Sequence, residues 1–245
     1  MKNLVLFNPS IEGGGVEKNL EMIMDHFSKN IKSKVFLITY DKILNANKKI
    51  NFIKPIIKIK TKNRKLKYII CLMSLISLFF QKRDFVIFSF QANVYAILLA
   101  KILGIKVIVR ANSAPSKWIN TYKTFIISFF YRLADKVIVN SLEFKKEIDK
   151  KFKINSYVIY NPINSKKILK LSKIKKKVPF YDSSDKVIKI LNVGRLTLQK
   201  NQIDLLKVVN ELKGKIPIRL IIIGSGSEKN TLNNYIKFHK LKKFV

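Results

Sequence analysis

Short apolar runs alternate with helical patterns along most of this 245-residue chain, and the alternation constrains the fold more than any other feature. Runs of the kind that fill buried parallel strands stand at 4–8, 34–40, 85–90, 106–110, 136–141 and 157–162. Stretches with apolar residues at helical spacing lie between most of them, at 16–27, 68–81, 92–103, 119–133 and 142–152. The pattern predicts an α/β fold in which helices cover both faces of a parallel sheet.

The alternation stops once and then begins again. Residues 164–186 are polar and rich in lysine, as is typical of a linker. Two more strand–helix pairs follow, with strands at 188–193 and 218–223 and helices at 201–213 and 228–240. We therefore expect a first Rossmann-like domain, a basic linker and the start of a second such domain, at 1–165, 166–186 and 187–245. A domain with at most two strands has almost no sheet interior, so we expect the second one to be incomplete.

The chain is strongly basic, with 49 lysine and arginine residues against 15 aspartate and glutamate residues and a net charge of +34. The excess of positive charge is distributed over both parts of the chain. Such a charge favours nucleic acid, anionic lipid or phosphorylated substrates as partners. Lysine, isoleucine and asparagine are all abundant, so compositional drift is an equally good explanation.

Few residues suit metal binding or nucleophilic catalysis. The single cysteine, Cys71, excludes an internal disulfide and a cysteine-based zinc site, and its apolar surroundings predict burial. The two histidines, His26 and His239, are far apart on separate predicted helices, and no Ser-His-Asp spacing is present. We therefore expect no metal site.

The sequence does not predict a membrane-spanning segment. The most hydrophobic stretch, 68–80, is bracketed by Lys67 and Lys82 and is shorter than the roughly 20 residues that cross ~30 Å of hydrocarbon. A buried helix is therefore favoured there. The apolar part of the N-terminal stretch MKNLVLF is too short for a signal peptide, and a cytoplasmic location is expected.

Two glycine-containing loops follow predicted strands, where ligands bind in open parallel sheets. The first has Gly13, Gly14 and Gly15 in a row. It fits a dinucleotide fingerprint poorly, because G-x-G-x-x-G would place a glycine at Lys18. Asp41 stands where a ribose-binding acid belongs, but a turn residue explains it equally well. It fits a Walker loop no better, because no Gly-Lys-Ser/Thr follows.

The second loop reads GRLTLQKN, residues 194–201. Gly194 allows the backbone to approach a ligand, Arg195 offers a forked donor with a permanent charge, and Lys200 offers a point charge. Such cations beside exposed N–H groups suit a diphosphate held without a metal. A solvated basic loop on a basic protein explains the same residues equally well.

The segment from 190 to 228 carries a more specific signature. It runs through an apolar strand, Gly-Arg-Leu, a short gap, Lys-Asn, a helix, a second apolar strand and Gly-x-Gly-x-Glu. In this it resembles the nucleotide-sugar-binding domain of retaining glycosyltransferases of family 4, which have the GT-B fold of two Rossmann-like domains. The N-terminal part is more loosely similar, since EGGGVEK resembles the family's Gly-Gly-x-Glu loop and ADKVIVNS and VIYNPIN resemble its approach to the domain junction.

The resemblance implies a role for each loop. The residues implied for the donor diphosphate are Arg195, Lys200, Gly14 and Gly15. Those implied for the nucleotide side are Gly194, Gly224, Gly226 and Glu228. Glu17, on the first turn of its helix, is expected to stabilise the helix N-terminus and not to act in catalysis.

The implied reaction transfers a sugar from a nucleotide-sugar donor with retention of anomeric configuration. Cations at the diphosphate would lower the barrier as negative charge develops on the leaving group. The sequence contains no Asp-x-Asp motif, which agrees with a metal-independent mechanism and with the absence of any cofactor.

Two departures from the family pattern change these expectations. Many relatives have a histidine in the acceptor cleft, whereas the matching stretches FSFQAN and VIVRANSAP contain none. Arg110 and Asn112 become the acceptor-side candidates, and Arg110 would either bind a phosphate-bearing acceptor or pair with a buried carboxylate. The family's Glu-x7-Glu pair and its closing helix belong beyond residue 245, so we expect a fragment or a truncated product with weak or absent transferase activity.

The sequence thus predicts a bacterial-type glycosyltransferase for a surface polysaccharide or glycolipid such as lipopolysaccharide, with a lipid-linked or glycan acceptor. It would act at the cytoplasmic membrane face, where residues 42–67 would contact anionic lipid. The alternative is a non-catalytic, basic Rossmann-like module that binds nucleotide or membrane without turnover. Nucleic acid is not an expected partner, because no helix-turn-helix, zinc finger or RNA-binding signature is present. The sugar, the base, the acceptor and the oligomeric state are not specified.

Overall fold

The computed structural model describes residues 2–11, 14–41, 49–57, 59–115, 121–174 and 186–245, and it confirms the predicted α/β organisation. Gly13, residues 42–48 of the lysine-rich stretch and 175–185 of the expected linker lie outside the described residues. The chain divides into two compact units, Met1–Ser165 and Lys166–Val245.

The first unit contains a seven-stranded sheet whose neighbouring strands are all parallel. Its strands are β1 (Asn3–Phe7), β2 (Val35–Ile38), β3 (Ile50–Ile53), β4 (Phe85–Ser89), β5 (Val107–Arg110), β6 (Lys136–Val139) and β7 (Tyr157–Val158). Its helices are α1 (Gly15–Asn30), α2 (Arg64–Gln81), α3 (Asn93–Ile102), α4 (Thr121–Leu133) and α5 (Leu142–Phe152). The strand order is β3-β2-β1-β4-β5-β6-β7, so the direction of winding reverses between β1 and β4.

Each face of this sheet has its own apolar core, because successive side chains of a strand point to opposite faces. In β1, Val5 and Phe7 belong to the core that includes residues of α2, α3, α4 and α5. Leu6 belongs to the core on the other face, which includes Leu20 and Met24 of α1. Burial on both faces explains why the strands read as continuous apolar runs and not as alternating ones.

The hydrophobic segment at 68–80 forms most of α2, as predicted, but its burial is incomplete. The helix begins after Asn63, whose side-chain oxygen accepts a hydrogen bond from the Lys65 N–H at 2.9 Å. Cys71 is buried on the inner side, whereas Phe80 on the outer side is exposed. The expected buried helix is therefore buried along its inner side and exposed along its outer side. Within the described ranges, no helix is long and apolar enough to cross a membrane.

The second unit contains a parallel pair of strands, β8 (Ile188–Val193) and β9 (Ile218–Ile223). Helices α7 (Gln202–Leu212) and α8 (Lys229–Phe238) follow these strands and pack on them around buried Leu206 and Leu220. A further helix, α6 (Ser165–Ser172), lies in the sequence that was expected to be linker. Lysine and leucine, which dominate this stretch, both favour helix.

Candidate functional site

The glycine loop of the first unit leads from β1 into α1 at the carboxyl edge of the sheet. Gly14 precedes the helix, and its N–H donates to Oε2 of Glu17 at 2.8 Å, so the buried Glu17 satisfies a backbone donor that the helix leaves unpaired. This agrees with the structural role expected for Glu17. Among the described residues, a Cβ atom at Gly15 would meet nothing within 4 Å. Room for a ligand is therefore present beside the first residue of this helix, and helix N-termini favour anions.

A carboxylate from the next strand anchors the start of the same loop. Asp41 accepts hydrogen bonds from the Ile11 N–H at 2.8 Å and from Nζ of Lys67 at 2.7 Å. The Lys67 side chain is mostly buried and lies over the Tyr40 ring. The carboxylate that the sequence offered as a ribose-binding acid is thus engaged in holding the loop. Burial, with Asp41 adding to it and Lys67 opposing it, raises the pKa of the nearby Cys71 thiol to about 12.

The loop lies at the reversal point of the sheet, where ligands bind in open α/β folds. The Ser10 N–H donates to Oε1 of Gln91, which follows β4, at 3.2 Å. The Asn8 side chain, fully buried, donates to the Ser10 carbonyl at 3.1 Å. The ends of β1 and β4 are therefore tied together at this edge by polar contacts, and the loop enters α1 from a fixed position.

Arg110 ends β5 and is 1% exposed. Its Nη2 donates to the Ile159 carbonyl at 3.0 Å and to Oδ1 of Asn161 at 2.9 Å, and burial lowers the pKa of the guanidinium. Among the described residues, no carboxylate pairs with it, and Nε and Nη1 are buried without a hydrogen-bond partner. The hypothesis of a buried carboxylate partner therefore has no support in this part of the chain.

Asn112, the other acceptor-side candidate, forms a hydrogen bond between two strand ends and also lines a cavity. Its Nδ2 donates to the Phe90 carbonyl at 2.7 Å, which ties the end of β5 to that of β4. It also lines a cavity of about 260 Å³, together with Ser113, Asn140 and Glu143. This cavity lies at the ends of β5 and β6, on the same edge of the sheet as the glycine loop.

In the second unit, backbone hydrogen bonds join the loop that follows β8 to the loop that follows β9. The Leu196 N–H donates to the Ser225 carbonyl at 2.9 Å, and the Glu228 N–H donates to the Leu196 carbonyl at 3.0 Å. A Cβ atom at Gly224 would lie 1.8 Å from the Gly194 carbonyl oxygen, and one at Gly226 would lie 2.1 Å from that of Leu196. Gly226 also has a φ of +158°. The Gly-x-Gly pair is thus required by the close approach of the two loops.

Arg195 and Lys200 lie on the first of these loops, with their side chains exposed. Neither forms a side-chain hydrogen bond or ion pair within the described parts of the chain. Lys200 ends a short 3-10 turn, Leu198–Lys200, that the sequence did not predict. The structure places both cations on the same strand-to-helix connection, as the sequence indicated.

Two residues that position this connection were missed by the sequence analysis. Gln202, 2% exposed, donates from Nε2 to the Arg195 carbonyl at 3.0 Å. Asn201 adopts a φ of +49°, in the left-handed region that glycine and asparagine tolerate. This conformation is the physical reason for asparagine or glycine after the lysine of the Lys-Asn pair. A polar residue at the start of a helix is the one sequence signal that could have indicated Gln202.

Three of the four nucleotide-side candidates, Gly224, Gly226 and Glu228, occupy the second of the two loops, whereas Gly194 begins the first. Glu228 immediately precedes α8, and its backbone carries the contact to Leu196. Gly224 lines a cavity of about 450 Å³ together with Lys229 and Asn233, whereas Arg195 and Lys200 do not line it. Within the described ranges, no group of histidine, cysteine, aspartate and glutamate residues could hold a metal ion.

A family model described as Glycosyltransferase Family 4 matches residues 13–167, which is more than half of the chain. The chain belongs to glycosyltransferase family 4. A second model, described as Glycosyl transferases group 1, matches residues 173–245 of this family 4 protein.

One curated relative of this family 4 protein is an uncharacterized glycosyltransferase of Methanocaldococcus jannaschii, 32% identical over 135 residues. The match covers 52% of this chain and 33% of the relative, so it spans about a third of the relative's length.

Solved structures establish that the family 4 protein has the GT-B type of fold. Anabaena HepE in complex with UDP aligns with a TM-score of 0.65 at 15% identity, covering all of this chain and 68% of that one. Sucrose-phosphate synthase from Thermosynechococcus elongatus aligns with a TM-score of 0.73 at 11% identity, covering all of this chain and 69% of that one.

Proposed function

We propose that the protein transfers a sugar from a nucleoside-diphosphate donor, with retention, to a lipid-linked or glycan acceptor in cell-surface glycan synthesis. The observation that carries the proposal is the pair of exposed cations, Arg195 and Lys200, neither engaged with a carboxylate in the described parts of the chain. They stand on a loop fixed by Gly194, Gly224 and Gln202. The donor class is supported by HepE, a protein of the same fold that has been crystallised with UDP.

The two cations suit the leaving group of such a reaction. As the bond from the sugar to the diphosphate breaks, negative charge develops on the diphosphate, and cations placed beforehand stabilise that charge without reorganising. Arg195 can bind two phosphate oxygens with its fork, whereas Lys200 acts as a point charge. Since Arg195 is fixed through its own carbonyl by Gln202, its backbone position is set before the ligand arrives.

The acceptor would meet the carboxyl edge of the first unit's sheet. Gly15 leaves open space at the N-terminus of α1, and Asn112 lines the cavity of about 260 Å³ at the ends of β5 and β6. Arg110 is buried, so in this proposal it does not contact the acceptor. It holds the segment after β7 through hydrogen bonds to Ile159 and Asn161. The lipid-linked acceptor places the enzyme on the cytoplasmic face of the membrane.

Titration of the purified protein with UDP and GDP tests the donor site. We expect the Arg195→Gln variant to bind the preferred nucleotide about tenfold or more weakly, because charge-assisted hydrogen bonds contribute roughly 1.5–3 kcal/mol. Lys200→Gln is expected to weaken binding less. Lys237→Gln, which removes an exposed lysine from α8, is the matched control and should leave binding unchanged.

Transfer is measured separately, with labelled nucleotide sugars and a lipid extract as the acceptor source. Product of retained anomeric configuration, assigned by NMR, supports the proposal. Binding that depends on Arg195 but gives no transfer would instead support the non-catalytic nucleotide-binding module. Nucleotide affinity that is equal in the wild type, Arg195→Gln and Lys237→Gln would contradict the placement of the diphosphate on this loop.

A further inference from the structure

Helix α4 is apolar on its outer side as well as on its inner side, where Tyr131 is buried in the core. Thr124 and Ser128 are buried against the rest of the unit. Tyr122, Phe125 and Phe129, which share a face at helical spacing, are 73%, 72% and 53% exposed. A helix on the water-facing surface of a protein normally has a polar outer side.

The neighbouring helix extends this apolar face. Helices α3 and α4 pack against each other on the same face of the sheet, so their outer sides lie next to one another. On α3, the exposed side chains Tyr95, Leu98 and Ile102 also share one helical face, and Ile102 is 70% exposed. We name these six residues the α3–α4 surface: Tyr95, Leu98, Ile102, Tyr122, Phe125 and Phe129. Contiguous exposed apolar patches of this kind mark interaction sites in proteins.

The charged residues within α3 and α4 are all basic, and the acidic residue Asp135, just after α4, forms an ion pair with Lys101. Neither α3 nor α4 contains an aspartate or a glutamate, whereas both carry basic residues, Lys101 on α3 and Lys123 and Arg132 on α4. Helix α1, on the opposite face of the sheet, exposes Glu21 and Asp25 instead. The combination of aromatic, aliphatic and basic residues without acidic ones is that of helices that lie in the interface of an anionic bilayer.

We propose that the α3–α4 surface docks the protein on an anionic phospholipid bilayer, with both helices lying in the interface and neither crossing it. Tyrosine and phenylalanine side chains would enter the boundary between headgroups and acyl chains, and Lys123 and Arg132 would contact phosphate groups. A second copy of this chain fits the surface less well, because self-association would bring two basic rims together. The net charge of +34 opposes such association further.

This inference deepens the proposed function, on which it rests for the lipid-linked acceptor, but its test needs neither nucleotide nor transfer. The full chain is sedimented with phosphatidylcholine vesicles that contain or lack phosphatidylglycerol, at low and high NaCl. We expect binding that requires phosphatidylglycerol and decreases with salt. The double variant Phe125→Gln/Phe129→Gln is expected to lower the partition coefficient about tenfold or more, because two large apolar side chains no longer leave water.

The matched control is Phe238→Gln, which removes an even more exposed phenylalanine from α8 in the other unit and should not change vesicle binding. Since all three phenylalanines are exposed, circular dichroism should show each variant folded. Three results overturn the proposal. They are vesicle binding that is unchanged in the double variant, binding that Phe238→Gln reduces equally, and binding that does not depend on phosphatidylglycerol or salt. The proposal is also overturned by analytical ultracentrifugation in which the double variant loses a dimer while vesicle binding persists. UDP binding retained by the double variant separates failure of this surface from failure of the donor site.

Discussion

The two glycine loops of this protein are held by different means. In the first unit, side chains hold the loop: Asp41 accepts from the Ile11 N–H, and Glu17 accepts from the Gly14 N–H. In the second unit, backbone hydrogen bonds hold the two loops together. Glycine is required at 224 because any side chain there would collide with the Gly194 carbonyl. Packing therefore requires glycine at 224, whereas a Cβ atom at Gly15 would meet nothing within 4 Å among the described residues.

The difference separates glycines that the fold needs from glycines that a ligand would need. A Cβ atom at Gly224 meets backbone atoms, which cannot move aside as the end of a flexible side chain can. A Cβ atom at Gly15 meets no described residue within 4 Å, so we expect the group that it obstructs to belong to a bound molecule. Substitutions in the two loops should accordingly fall into two classes, one that lowers stability and one that lowers binding.

Gly224→Ala should have the largest effect on stability. The added methyl group would lie 1.8 Å from the Gly194 carbonyl oxygen, so the two loops must separate and lose the hydrogen bonds that join them. We expect a loss of about 3–5 kcal/mol in the second unit. Hydrogen exchange measured by mass spectrometry should show faster exchange across 188–245 and unchanged exchange across β1 and β2.

Gly194→Ala is the matched control for this comparison. Its Cβ atom would find only the end of the Gln202 side chain, at 3.9 Å, which is ordinary contact. We expect exchange in the second unit close to that of the wild type. Equal protection in Gly224→Ala and Gly194→Ala would show that the close approach of the loops does not matter for stability.

Most of the contacts that hold the two loops could not be predicted from the sequence. The strands and helices followed from apolar periodicity, and Arg195 and Lys200 were placed on one loop because a strand end and a helix start flank them. The contact between Asp41 and Lys67 was missed, since it joins residues 26 positions apart through packing that no local pattern encodes. The left-handed backbone of Asn201 was missed for a related reason: asparagine tolerates that conformation but does not require it.

Removing Asp41, which anchors the first glycine loop, should lower the free energy of unfolding less than Gly224→Ala does. Asp41→Ala leaves the Ile11 N–H without its acceptor and leaves the mostly buried ammonium of Lys67 without its counter-charge. We expect a loss of about 2–3 kcal/mol, measured by chemical denaturation. Asp84→Ala is the control, because it removes an exposed carboxylate whose ion pair with Lys2 should contribute little. Similar stabilities of the two variants would mean that Asp41 does not anchor the loop.

Gly15→Ala should have the smallest effect on stability and is the sharpest test of the comparison. Alanine at the first position of α1 meets no atom within 4 Å and reduces the freedom of the unfolded chain, so the variant should be as stable as the wild type or about 0.5–1 kcal/mol more stable. If the open space serves the donor phosphates or the acceptor, sugar transfer should decrease while the protein stays folded. Asn19→Ala, one turn further along the helix, is the control for helix propensity and should keep the wild-type level of transfer. Transfer by Gly15→Ala equal to that of Asn19→Ala would mean that the open space at this helix N-terminus is not used by a ligand. A loss of stability in Gly15→Ala would instead place both glycine loops in the same class, with packing as the reason for each.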